Sequence, residues 1–89
     1  MFFVYMLLCA DNSYYTGYTN NIENRISCHN DGKGSKYTRA RLPVKLAYLE
    51  EFSSKSEAMK REAAIKKLKS SEKRSLSDSY LNKEGHINK

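Results

Sequence analysis

The chain opens on an unbroken apolar run, MFFVYMLLCA, rich in aromatic and branched residues. A turn cluster, Asp11-Asn12-Ser13, follows it, so residues 2–9 are expected to form a central strand buried on both faces. YYTGYT at 14–19 reads as a second strand, paired with the first in a hairpin. Asn20 with Glu23 three residues later has the form of a capping box. It predicts a helix over about 21–30, with Ile22 and Ile26 on the buried stripe. Residues 32–43 carry no periodicity and read as a loop. Residues 44–52 put Leu46, Tyr48 and Phe52 at even spacing, the pattern of a third strand. Ser54 with Glu57 repeats the capping-box signature and opens a second helix through about residue 69. Ser70 or Ser71 is expected to cap a short third helix carrying Leu76 and Tyr80, and residues 82–89 read as a polar tail. The order is ββαβαα, with neither an internal repeat nor a linker. It predicts one α+β domain over residues 1–81, a three-stranded antiparallel sheet flanked by helices.

Eighty-nine residues hold one small domain. A chain of this size buries roughly 60–65% of its unfolded surface, which excludes a multidomain enzyme, a barrel or a full dinucleotide-binding fold. Lys plus Arg number 16 against 10 Asp plus Glu, a formal charge of +6. Such a field favours polyanionic partners: DNA, RNA or an anionic surface. Cys9 and Cys28 are too few for a disulfide framework and are expected as free thiols in a reducing cytoplasm. His29 and His86 are too far apart in sequence to suggest a zinc pair, and there is no C-x-x-C. The first ten residues lack a basic leader and are too short to span a bilayer, so no membrane segment is expected.

Gly32-Lys33-Gly34-Ser35 hints at a phosphate loop, but the spacing is wrong and the stretch follows a helix instead of preceding one. It reads as a helix stop plus a basic loop holding Lys33, Lys36, Arg39 and Arg41 and no acid. On the first helix, Arg25 and His29 lie about 40° apart beside the buried stripe. On the second, taking 100° per residue from Ala58, Ile65 falls near about −20°, Leu68 near about −80° and Met59 near about +100°. Glu62 falls near about +40°, inside that apolar arc, while Lys60, Lys66 and Lys67 point elsewhere. A carboxylate there must be paired, hydrogen-bonded or bound to a metal. Arg25 or a tyrosine hydroxyl would serve as the partner. Tyr5 and Tyr15 share a face of the sheet when the hairpin loop has an odd count. A three-residue loop Asp11-Asn12-Ser13 meets that condition and sets Gly17 opposite Leu7. The commonest role of strand tyrosines is simply to form strands.

Phe3-Val4-Tyr5, Tyr15-Thr16-Gly17, Arg25, His29 and Glu62, in that order, resemble the GIY-YIG nuclease superfamily. The likeness is to its small stand-alone bacterial members of the YhbQ/YazA type, and it covers residues 1 to about 75. It implies a GIY-YIG-like domain that hydrolyses DNA phosphodiesters with one divalent ion, Mg²⁺ or Mn²⁺, in DNA repair or recombination. Tyr5 and Tyr15 would be the signature tyrosines and Arg25 the phosphate-binding arginine. His29 would orient the attacking water or touch phosphate, and Glu62 would be the metal carboxylate. Tyr37 would approach the site from the basic loop. Lys33, Lys36, Arg39 and Arg41, with Lys60, Arg61, Lys66 and Lys67 on the second helix, would track the DNA backbone. The pattern departs from the family in three places: Phe3 stands for the first glycine, Thr16 for an apolar residue, and no Asn follows the metal helix. The alternatives are a non-catalytic nucleic-acid-binding module and an interaction domain of a repair complex.

Overall fold

The computed structural model describes residues 1–83. β1 (Phe2–Leu8) lies between β2 (Tyr14–Thr19) and β3 (Lys45–Phe52), both antiparallel to it. A strand with apolar residues on both faces has to be central, because each face needs a cover. Val4 and Met6 pack on one side with Ala58 and Ile65 of α3 (Lys55–Lys66) and Leu76 of α4 (Ser70–Lys83). Tyr5, Leu7 and Cys9 pack on the other with Ile22 and Ile26 of α1 (Ile22–Asn30). Each large apolar side chain so buried contributes about 1.5–3 kcal/mol. Among the described residues no helix is long and apolar enough to cross a membrane, and Cys9 and Cys28 are free thiols.

The expected α+β architecture and strand order hold, with local corrections. The hairpin loop is Ala10-Asp11-Asn12, one residue earlier than expected. Cys9 and Ser13 close it with a 2.9 Å bond, and Asn12 N–H returns to the Cys9 carbonyl. Asn12 takes the left-handed conformation at φ 69°, which Asn tolerates better than most residues. Moving the loop by one residue moves the register by two, so Gly17 faces Tyr5 and not Leu7. Parity is unchanged, and Tyr5 and Tyr15 do share a face.

The first helix is capped by Asn21, whose side chain accepts the Asn24 N–H, and not by Asn20. Ser54 caps α3 as expected. α4 begins at Ser70 and runs 14 residues, longer than expected; the Glu72 carboxylate reaches back to the Lys69 N–H at 2.8 Å, so Lys69 takes the place expected for Ser70 or Ser71. Asn82 and Lys83 belong to this helix, and the rest of the expected tail, 84–89, lies outside the described residues. In β3 a bulge at Ala47 interrupts the register between Met6↔Tyr48 and Leu7↔Leu46. Leu46 therefore joins the Tyr5 side while Tyr48 and Phe52 join the Val4 side, which breaks the expected even spacing. Met59, placed on the apolar arc by angle, is 45% exposed.

The expected loop at 32–43 contains a one-turn helix, α2 (Lys36–Arg39), capped by Ser35. Asn30 ties the end of α1 to the entry of β3 through both sides of its amide, to Val44 N–H at 2.8 Å and Val44 C=O at 3.1 Å. Ala10 N–H bonds the Arg41 carbonyl. The segment carrying α2 is thereby fastened at both ends over the Tyr5 face.

Candidate functional site

β2 is an edge strand, and at its edge the two faces of the sheet meet. A cleft of about 530 Å³ opens there, lined by Tyr5, Tyr15, Gly17 and Thr19 from the sheet, Arg25 from α1, and Lys55 and Glu62 from α3. Residues read as separate signals in the sequence therefore converge. The Tyr5 and Tyr15 rings are 6.4 Å apart. Gly17 makes the approach possible: a Cβ there would lie 2.6 Å from the Tyr5 hydroxyl and 2.8 Å from the ring.

His29 does not line the cleft. It stands behind Tyr5, 1% exposed, deeper than the partly buried position its helix angle suggested. Its Nε2 is 3.1 Å from the Tyr5 hydroxyl and its Nδ1 is 2.8 Å from the Thr38 hydroxyl. Both ring nitrogens are thus occupied by the protein. The Tyr15 ring lies 5.0 Å from the imidazole. Burial raises the Tyr5 phenol well above the ordinary tyrosine range, with the Tyr15 and Glu62 charges adding to this and Arg25 opposing it. Burial, helped by the Arg25 charge, holds the His29 imidazole below its ordinary value. A neutral phenol bonded to a neutral imidazole is the consequence at neutral pH.

Glu62 does not pair with Arg25. Its neighbour is Lys66, at 3.3 Å, one turn along α3. The sequence reading found no neutralising neighbour at that angle because a lysine on a long stem reaches across more of the helix than its Cα position indicates. The Glu62 side chain is 18% exposed. One carboxylate completed by waters and phosphate oxygens suits Mg²⁺ or Mn²⁺, and the ammonium of Lys66 would have to give way to such an ion. Among the described residues no cluster of three His, Cys, Asp or Glu exists, and Glu62 is the one carboxylate lining the cleft. Arg25 forms no ion pair among the described residues, and its charge is left to the cleft.

The basic residues divide. Lys33, Lys36 and Arg39 are exposed on the α2 segment, and Lys60, the Glu62 partner Lys66 and the C-cap Lys67 are exposed along α3 and at its end. Arg41 is engaged instead: it bonds Asp11 at 3.0 Å, donates to the Tyr37 carbonyl, and lies 3.8 Å over the Tyr37 ring. Tyr37 also stacks on Tyr15 at 6.2 Å, which brings the basic segment to the cleft. Arg61, grouped with the helix lysines in the sequence, turns to Glu50 of β3 at 3.0 Å. Sequence reasoning missed Lys55, Thr38 and Gly34. The Ser35-x-x-Thr38 spacing was the available sign of a buried, capped turn.

Comparison with known proteins shows the family. Residues 1–75 match the model of the GIY-YIG catalytic domain, and the chain belongs to that family, whose membership points to nuclease-type chemistry. Within it the similar proteins are small ones named UPF0213. One from Clostridium perfringens is 53% identical over 89 residues, covering 100% of this chain and 96% of its own. One from Bacillus licheniformis is 65% identical over 66 residues, 74% of this chain and 68% of the relative. The solution NMR structure of the UPF0213 protein from Bacillus halodurans superposes with a TM-score of 0.56 at 46% identity, covering 88% of this chain and 84% of that one.

Proposed function

We propose that the protein is a divalent-metal-dependent DNA endonuclease that selects DNA by shape and acts in repair or recombination. The observation that carries the reading is the convergence of Tyr5, Tyr15, Arg25 and Glu62 on one cleft, with His29 bonded behind Tyr5. Arg25 binds the scissile phosphate and stabilises the charge added in the transition state. The Tyr5 oxygen accepts a proton from the attacking water while its own proton passes to His29 Nε2, so no free phenolate is needed against its raised pKa. His29 acts through Tyr5, not on phosphate. Tyr15 holds the Tyr5 and His29 rings by packing. Mg²⁺ or Mn²⁺, held by Glu62, supplies positive charge beside the phosphate when bound.

Lys33, Lys36 and Arg39 on one side and Lys60, Lys66 and Lys67 on the other track the DNA backbone, with Tyr37 and Arg41 forming the wall between strand and loop. Phosphate contacts of this kind orient a duplex without reading bases, which favours selection by shape. A cytoplasmic location and a repair or recombination protein as partner belong to the same proposal. The alternative, a non-catalytic nucleic-acid-binding module or interaction domain, draws on the Glu62–Lys66 pair, which neutralises the carboxylate without a metal.

The test is a cleavage screen of flaps, forks, nicks, junctions and single strands with Mg²⁺ or Mn²⁺. Metal-dependent cutting of at least one shape is expected. Binding without cutting on every substrate with either ion overturns the nuclease reading and leaves the alternative.

A further inference from the structure

Gly34, Ser35 and Thr38 are the part of the loop that the basic-surface reading leaves without a task. Its inner side is neither basic nor exposed. Thr38 is fully buried, its hydroxyl 2.8 Å from His29 Nδ1, 2.9 Å from Ser35 Oγ and 3.4 Å from the Ser35 carbonyl oxygen. Gly34 lies flat against the imidazole: a Cβ there would collide with His29 Nδ1 and with the ring carbons on either side of it. We infer that Thr38 is a positioning residue for the active site, accepting the Nδ1–H of His29 and so holding the imidazole in the tautomer whose Nε2 lone pair faces Tyr5.

Two directions of the chain are possible on distance alone. In one, Tyr5 O–H donates to Nε2, Nδ1–H donates to Thr38, and Thr38 O–H donates onward to Ser35. In the other, every donor reverses. Tyr5 is 2% exposed, and His29 is the protein group within hydrogen-bond reach of its hydroxyl among the described residues. Reversal would leave the Tyr5 hydrogen to cleft water alone and would turn the Thr38 hydrogen away from the Ser35 carbonyl, which can only accept. The first direction satisfies each member, because Thr38 has the Ser35 carbonyl and Oγ as acceptors one turn back, while Ser35 Oγ takes the Thr38 N–H as the cap of α2. It also spends the Tyr5 hydrogen on His29, so the lone pairs of Tyr5 are what the oxygen offers to the cleft. An oxygen in that state can receive a proton from water. In the reversed state it offers a hydrogen and cannot. Ser35 and Gly34 serve the same end, one by capping the turn that presents Thr38, the other by leaving room for the ring.

For its chemical meaning the inference rests on the nuclease reading, but its central claim can be measured without activity. The chain has two histidines, His29 and His86. Long-range ¹H–¹⁵N correlation spectra of ¹⁵N-histidine-labelled protein, assigned with His86→Gln, report the tautomer of His29 directly. The expected result is the Nδ1–H form in the wild type and in Thr38→Ser, and loss of that preference in Thr38→Val. In the cleavage assay, Thr38→Val should lower kcat by about tenfold or more with KM little changed, and Thr38→Ser should restore it. An Nε2–H tautomer in the wild type overturns the inference without recourse to any variant. So does a Thr38→Val protein, folded by thermal melt, whose tautomer is unchanged. If no substrate is cut but the tautomers follow the expected pattern, the nuclease reading fails and the positioning of His29 stands.

Discussion

The ring of Tyr5 lies across Gly17 of the neighbouring strand, close enough that any side chain at Gly17 would overlap the phenol. The register places the one strand residue without a Cβ opposite the one tyrosine that must reach sideways to His29. The expected register set Gly17 opposite Leu7; its partner is the Tyr5 ring instead.

Gly17→Ala should therefore act through Tyr5. Displacing the phenol breaks its bond to His29, and overpacking of this kind costs about 1–3 kcal/mol. A lowered melting temperature together with a shifted His29 resonance is the expected pair of results. An unchanged His29 signal would show that the ring has another place to go.

Glu62→Gln keeps shape and removes the charge proposed to hold the metal. Cleavage should fall about a thousandfold or more, since metal catalysis is worth several kcal/mol. The Lys66 pair is half exposed, so its loss should cost about 1 kcal/mol or less in a denaturant melt. DNA binding without metal should survive or tighten slightly. A large loss of stability would mean that the carboxylate has a structural role instead.

Arg25→Ala should lower cleavage and DNA affinity together while leaving the melt nearly unchanged, because no ion pair among the described residues holds its guanidinium. Arg61→Ala is the contrasting control. It breaks the contact to Glu50 across α3 and β3 and should reduce stability by about 0.5–1 kcal/mol with little change in DNA affinity.

Salt titration of duplex binding should give a log–log slope of about −4 to −5 if the exposed basic residues neutralise five or so phosphates. Lys36 and Arg39 are both exposed on α2, and replacing both with alanine should reduce the slope by about two units. A slope near zero would direct attention to a protein partner.

Stability should vary with pH at both ends of the range. The His29 value is depressed in the fold, so its contribution is intact above the unfolded value near 6.5 and is lost as pH falls from there through the folded value. Tyr5 is raised, so its contribution is intact below the unfolded value near 10 and is lost as pH climbs beyond it. Urea melts at a series of pH values should show both declines. Replacing His29 with Asn should flatten the acidic one, and a slope that persists in that variant would assign it to other groups.

Several features were legible because they are written within a few residues of each other. The apolar run at 2–9 requires a central strand, since only a doubly covered strand can bury both of its faces. Loop parity put Tyr5 and Tyr15 on one face even though the loop itself lay one residue earlier, because a two-residue change of register preserves sides. Ser54 capped its helix as the spacing required. The tertiary structure decided what depends on residues distant in sequence. Asn12 in its left-handed turn chose Gly17 as the partner of Tyr5, and the bulge at Ala47 sent Leu46 to the opposite side from Tyr48. Thr38 became the partner of His29 only once α1 and α2 were packed over the sheet. Local periodicity specifies which face a residue occupies, whereas the group it meets there depends on register, bulges and side-chain reach, and these are settled only when the elements pack together.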